Sequence, residues 1–213
     1  MFPTEEVTLP SKGLIYPQDN PLAKGTLEMK YMTAKEEDIL TNESYIKNGT
    51  VIDKLLQALI VTPINYNDLI VGDKNAVMIA ARVLGYGKDY TFKLKDEEHT
   101  VDLTEVADKE IKEEHLLEKG KNEFSFDLPT IKKNITFKIL THGDEKKIDT
   151  EVKGLKKINR GESAEYSTRL KHMILSVDGD YERKTVRQFV DNQLLARDAR
   201  ALREYIKEIQ PDV

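Results

Sequence analysis

Residues 72–103 read GDKNAVMIAARVLGYGKDYTFKLKDEEHTVDL, and the spacing of their apolar side chains changes at the triplet Gly85–Gly87. Before the triplet, apolar residues occupy nearly every position, which is typical of a buried helix that ends at a glycine stop. After it, Tyr90, Phe92 and Leu94 alternate with polar residues, as in a β-strand with one face in water. This change from a helical to a strand pattern predicts an α+β protein.

The alternating pattern continues beyond this stretch. Four short runs have period two, and a solvated turn of charged residues separates the first two of them. Such runs predict a small antiparallel sheet with one face toward solvent. The runs are Tyr90–Leu94, Val101–Leu103, Phe124–Leu128 and Ile135–Ile139, and the turn is Lys95–Glu98.

Helical patterns flank the predicted sheet on both sides. Upstream, Gly25–Met32 alternates like one leading strand, and Thr33 with Glu36 forms a capping box for a helix. Downstream, apolar residues recur at helical spacing in Ser163–Ser176 and along Leu194–Ile209. The predicted fold is therefore a helical core with an inserted small antiparallel β-sheet.

This pattern divides the chain into four parts. An extended N-terminal arm covers 1–24, and a helical part with one leading strand covers 25–87. The sheet insertion covers 88–141, and a C-terminal helical part covers 142–213. We expect the two helical parts to pack together in one core; two separate helical domains are the alternative.

The bulk composition excludes several classes of protein. The 213 residues contain no cysteine, so disulfides and cysteine-ligated metals are excluded. The net charge of −5, with interspersed basic and acidic residues, argues against a nucleic-acid binder. The sequence predicts no signal peptide, and no apolar stretch is long enough to span a membrane.

The search for reaction chemistry finds no candidate catalytic, cofactor-binding or metal-binding residue. The four histidines do not have the spacing of metal ligands. Neither Gly85–Gly87 nor Gly72–Lys74 fits a phosphate-binding or dinucleotide-binding loop. The sequence therefore predicts a chain that is not an enzyme, has no cofactor and works by binding other proteins.

Eight residues are candidates for that binding. The arm is too rich in proline and glycine for a helix, yet it carries Leu9, Leu14, Ile15 and Tyr16, so we expect it to dock on a partner; packing on its own domain is the alternative. Arg82 interrupts an apolar helix, and we expect its guanidinium to meet a carboxylate of this chain or of a partner. The last helix adds Asp198, Arg200 and Arg203, for which a solvated helix face is the alternative.

Several ordered blocks resemble a known family. They are LPSKGLIYP, GTLEMKYMTAKEEDIL, IDKLLQALI, GDKNAVMIAARVLGYGKDY and ARDARALREYIKEIQPDV. Together they are similar to the baseplate hub assembly proteins of T-even-like contractile-tailed bacteriophages. The resemblance covers residues 7–104 and 185–213 and is strongest between Leu9 and Tyr90.

The resemblance implies a non-enzymatic protein that binds baseplate hub or tape-measure proteins while the tail baseplate is built. It implies a location in the cytoplasm of the host bacterium and, if the chain is retained, in the virion baseplate. It also implies that the chain could act as an oligomer within an assembly complex. The alternatives are a permanent structural baseplate subunit and a tail-associated hydrolase.

One departure from the family concerns metal. Many members of the family carry a Cys-x-x-Cys knuckle between the strand after Gly-Tyr-Gly and the Val-Asp-Leu strand, whereas this chain has Thr91–His99 there, without cysteine. We therefore expect no zinc at this position. The hairpin must be held by packing of Phe92, Leu94, Val101 and Leu103 instead.

Overall fold

The computed structural model describes residues 3–158 and 164–213. Within these two ranges the chain forms eight α-helices and seven short strands, which confirms the α+β class. The helices are α1 (Ala34–Leu40), α2 (Glu43–Lys47), α3 (Val51–Leu59), α4 (Val71–Tyr86), α5 (His142–Ile158), α6 (Glu165–Met173), α7 (Arg183–Asn192) and α8 (Ala196–Ile209). The strands are β1 (Thr4–Thr8), β2 (Thr26–Lys30), β3 (Asp89–Leu94), β4 (Glu97–Asp102), β5 (Phe124–Asp127), β6 (Asn134–Phe137) and β7 (Ile174–Val177).

The N-terminal segment belongs to the core, so the predicted extended arm 1–24 is wrong. Strand β1 pairs antiparallel with β2 from Thr4↔Lys30 to Thr8↔Thr26, and the loop between them folds inward. Leu9, Ile15 and Tyr16 are at most 5% exposed, and Leu14 is partly buried against the same core. Instead, this segment packs on its own domain, which is the alternative that the sequence leaves open.

A buried carboxylate anchors this loop to α4. Asp73 accepts hydrogen bonds from the Ser11 backbone amide at 3.0 Å, from the Ser11 hydroxyl at 2.7 Å and from the Tyr16 hydroxyl at 2.6 Å. Burial raises the pKa of Asp73, and these three donors act in the opposite direction. The neighbouring Gly72 lets the C-terminal segment approach closely, because a Cβ there would lie 1.9 Å from the Pro211 carbonyl oxygen.

The predicted single sheet is in fact two separate units. Strands β3 and β4 form a two-stranded hairpin, while β5, β6 and β7 form a three-stranded antiparallel sheet. Strand β7 begins within the segment Ser163–Ser176, for which the sequence predicts a helix; α6 ends at Met173. The inner face of the three-stranded sheet is buried through Phe124, Ile135, Phe137 and Ile174.

The C-terminal helices close the core over this sheet. Helix α8 buries Ala199, Leu202, Ile206 and Ile209, which are spaced along one face as the sequence predicts. The C-terminal part also meets the first helical part directly: the His142 amide donates to the Leu69 carbonyl at 2.7 Å, and Asn75 donates to Asp212 at 2.8 Å. The buried residues of 3–30, α3, α4, the three-stranded sheet, α7 and α8 form one continuous cluster.

Candidate protein-binding surface

The β3–β4 hairpin projects from the end of α4. Its strands pair from Asp89↔Asp102 to Leu94↔Glu97, so only Lys95 and Asp96 form the turn. Both turn residues have positive φ, 50° and 67°, as a type I′ turn requires. The sequence placed Glu97 and Glu98 in the turn, but they belong to β4 because the two-residue turn matches the twist of the strands.

One face of the hairpin is apolar and uncovered. Tyr90, Leu94 and Val101 are 45%, 57% and 41% exposed, and Phe92 is half-buried between its neighbours. The rings of Tyr90 and Phe92 stack at 5.9 Å between centroids, and Phe92 stacks on His99 at 5.7 Å. These side chains cover one another rather than the core, so the packing expected to hold the hairpin leaves most of its apolar face in water.

Arg82 joins the hairpin to α4, but not through a carboxylate. Its guanidinium donates to the carbonyl of Gly87 at 2.9 Å and to that of Asp89 at 3.3 Å. It also lies over the rings of Tyr86 and Tyr90, 5.2 Å and 5.7 Å from their centroids. The predicted carboxylate contact is therefore wrong within the folded chain, because carbonyl oxygens and ring faces take the charge instead.

The helix that carries Arg82 is less buried than its sequence predicts. Ala76, Val77 and Ala81 are buried, but Met78 and Tyr86 are about half exposed. Met78, Arg82 and Tyr86 follow one another at four-residue spacing, so they form a single outer stripe. This stripe leads along α4 to the base of the hairpin.

A groove of about 450 Å³ runs along another face of α4. Its wall opposite the helix comes from β1, from the segment after β4 and from the C-terminal residue. Leu103 and Thr104, which directly follow β4, are among its lining residues. Its apolar lining residues are Val7, Ala76, Ile79, Ala80, Val83, Leu84, Leu103, Val106 and Val213.

The candidates on α8 behave differently from one another. Asp198 is fully buried and accepts from the backbone amides of Thr130 at 2.7 Å and Ile131 at 3.3 Å, so its predicted partner role is wrong. Arg200 pairs with Glu204 at 3.0 Å on the exposed face of the helix. Arg203 is exposed and lies 5.0 Å from the centre of the Tyr166 ring. A binding role for the two arginines stays a prediction.

A second concave region lies between α4, α5 and α6 and is lined mainly by residues with charged or polar side chains. Arg169 holds Glu145 through two hydrogen bonds of 2.5 and 2.8 Å on one wall of this cleft of about 480 Å³. At its edge, Asp53 accepts from Lys74 at 2.6 Å and lies 3.8 Å from His142. Burial opposes ionisation of Asp53, but the hydrogen bonds of Lys74 and Tyr66 lower its pKa. A glycosidase-type general acid needs a raised carboxyl pKa, the opposite of this shift.

The described residues contain neither a metal-binding group of side chains nor a helix that could span a membrane. Within 3–158 and 164–213, no group of three or more His, Cys, Asp and Glu side chains is arranged to hold a metal ion. In the same ranges, no helix combines the length and apolarity needed to cross a membrane. The expected absence of zinc stays a prediction.

The sequence does not predict two features of the structure, one on this surface and one in the core. The alternating pattern of the hairpin predicts one apolar and one polar face, but it does not show whether the apolar face is buried. The anchoring role of Asp73 could not be predicted either, because Ser11 and Tyr16, which donate to it, lie far away in the sequence.

No protein-family model, curated protein or solved structure matches this chain.

Proposed function

We propose that this chain is a non-enzymatic assembly protein of a contractile phage tail baseplate, and that the hairpin face is its docking surface. The observation that carries the proposal is the uncovered apolar face formed by Tyr90, Phe92, Leu94 and Val101. It supports protein binding because a two-stranded hairpin is only marginally stable alone and gains most from a surface that covers it.

The energetics favour a protein partner. Covering a fully exposed large apolar side chain contributes about 1.5–3 kcal/mol, so three side chains near half exposure contribute several kcal/mol together. The groove along α4 is lined by further apolar side chains. Aromatic residues such as Tyr90 and Phe92 are also the residue types that dominate the binding energy at protein interfaces.

The choice of partner rests on the resemblance of the ordered blocks to the baseplate hub assembly family. The block that ends in Gly87-Lys88-Asp89-Tyr90 leads directly into β3, so the resembling region and the exposed face adjoin. The occupant we propose is a baseplate hub or tape-measure protein. Binding would take place in the host cytoplasm while the baseplate is built.

The first test is co-purification of a tagged chain with hub and tape-measure proteins from phage-infected cells. The test variant changes Tyr90, Leu94 and Val101 to serine. The control makes the same change at Ile46, Val61 and Leu117, which are comparably exposed but lie outside the hairpin. We expect the native chain and the control to recover hub or tape-measure proteins and the hairpin variant to lose them. Equal recovery by the hairpin variant, or no such protein with the native chain, would refute the proposal.

A second test separates an assembly factor from a permanent baseplate subunit. Mass spectrometry would compare purified virions with lysate of infected cells. An assembly factor is abundant in the lysate and absent from virions, whereas a structural subunit is present in virions at fixed stoichiometry. Absence from both would contradict a role in the baseplate.

A further inference from the structure

Among the described residues, no further strand pairs with either edge of the hairpin, and the backbone of β3 shows which groups each edge presents. The Leu103 amide donates to the Lys88 carbonyl at 2.9 Å, so these two residues form a hydrogen-bonded pair. Such pairs alternate along an antiparallel ladder, so Tyr90, Phe92 and Leu94 direct their backbone groups toward β4. Asp89, Thr91 and Lys93 therefore direct their amides and carbonyls away from the hairpin.

The side chains of these outward-facing residues are complementary to a copy of themselves. If two β3 strands run antiparallel about Thr91, then Thr91 lies opposite Thr91, and Asp89 lies opposite Lys93 twice. Opposite charges directly across a ladder stabilise a strand pair. In the same register Tyr90 lies opposite Phe92, an aromatic pair on the apolar face.

We propose that two copies of this chain associate through the β3 edges, so that the hairpins form one four-stranded antiparallel sheet. The arrangement is isologous, and it pairs the outward-facing amides and carbonyls of Asp89, Thr91 and Lys93 in both copies. Because residues opposite one another share a face, the two apolar faces lie on the same side. The sheet thus presents a docking face twice as wide as one hairpin.

The β4 edge is unsuited to the same pairing. Its outward-facing residues are Glu98, Thr100 and Asp102. Antiparallel pairing about Thr100 would place Glu98 opposite Asp102 twice, and like charges across a ladder are destabilising. The charge pattern therefore selects the β3 edge and leaves β4 at the outside of the sheet.

Arg82 is compatible with this pairing. Its guanidinium donates a hydrogen bond of 3.3 Å to the Asp89 carbonyl oxygen. That oxygen has a second lone pair, which can accept from the Lys93 amide of the other copy. The proposal does not rest on the phage partner, since it concerns the chain alone. Its failure would leave the docking role of a single hairpin untouched.

The main test exploits the charge pattern with two variants of the full chain. Asp89→Lys places Lys opposite Lys in the proposed pair, and Lys93→Asp places Asp opposite Asp. We expect each variant alone to dissociate about tenfold more readily than the native dimer at low ionic strength, by sedimentation equilibrium. An equimolar mixture of the two should associate again, because every pair then joins opposite charges. Such rescue excludes simple loss of the hairpin as the cause.

A second test uses the backbone donors. Thr91→Pro removes an outward amide of β3, and Thr100→Pro removes the matching amide of β4, so neither takes a hydrogen bond from the hairpin ladder. We expect only Thr91→Pro to convert the dimer to monomer. A native chain that remains monomeric at high micromolar concentration, equal effects of the two prolines, or no rescue by the charge mixture would overturn the proposal.

Because the chain has no cysteine, single cysteines report the register directly. Thr91→Cys would place two sulfurs across the two-fold axis, where the Cα atoms of a hydrogen-bonded pair are about 5.5 Å apart, within disulfide range. We expect oxidation to cross-link Thr91→Cys and not Thr100→Cys. Preferential cross-linking at Thr100→Cys would assign the contact to the other edge and contradict the proposal.

Discussion

Replacing Asp73 by alanine tests whether the N-terminal segment is part of the fold or a detachable arm. The change removes the acceptor for the Ser11 amide, the Ser11 hydroxyl and the Tyr16 hydroxyl, all of which are buried. A buried donor left without a partner costs about 1–3 kcal/mol. Part of that cost is recovered because the buried carboxylate itself was expensive to desolvate.

The expected net loss is about 3–5 kcal/mol in the free energy of unfolding, a large share of the 5–15 kcal/mol typical of a domain. Urea denaturation at neutral pH, followed by circular dichroism, measures it. Asp149→Ala is the control, because Asp149 is exposed and, among the described residues, pairs only with Lys153 four residues along α5; we expect a loss below about 0.5 kcal/mol.

A double-mutant cycle with Tyr16→Phe assigns the effect to the network. If Tyr16 and Asp73 act together, the two losses are not additive, and the coupling is about 1–3 kcal/mol. A loss below about 1 kcal/mol for Asp73→Ala, with additive behaviour in the cycle, would refute the anchoring role. The N-terminal loop would then contribute little to the core.

Further measurements test the N-terminal segment, two other sites in the fold and the metal content. Deletion of residues 1–17 is expected to unfold the chain, as measured by loss of a cooperative melting transition, because buried core residues are lost. Gly72→Ala should lower the melting temperature, since its Cβ would overlap the Pro211 carbonyl. Hydrogen bonds from Arg187 and His172 lower the pKa of Glu151 to about 2. Because the pKa is lower in the folded chain, the ionised carboxylate stabilises the fold at pH values above its ordinary pKa of 4.5, and this stabilisation is lost as the pH falls toward 2. In urea denaturation, Glu151→Gln should therefore cost about 1–2 kcal/mol at pH 7 and almost nothing near pH 2. Elemental analysis of the purified protein should find no stoichiometric zinc.

Local patterns in the sequence identified much of the secondary structure. The capping box at Thr33 forms as expected, since the Glu36 carboxylate accepts from the Thr33 amide at 3.0 Å. The seam of α8 and the alternating strands β3 to β6 follow the predicted periodicity. These features depend on neighbours a few residues away, which a sequence pattern records directly.

Features that depend on distant contacts could not be predicted in the same way. Leu9, Ile15 and Tyr16 have no regular spacing, so nothing local distinguishes a docking arm from a loop folded into the core. The strand β7 continues the apolar spacing of α6, and only its pairing with β6 makes it a strand. For Arg82, the sequence indicated a need for a partner but not that backbone carbonyls and two tyrosine rings would supply it.

Amide hydrogen exchange tests directly whether the hairpin face binds another protein. Exchange would be measured on the full chain alone and in complex with the hub or tape-measure protein recovered by co-purification. With the free chain dilute enough to be monomeric, we expect amides of 89–102 to exchange rapidly and to gain the largest protection in the complex, with weaker gains along α4. Protection confined to surfaces away from the hairpin and α4, with 89–102 unchanged, would contradict the claim.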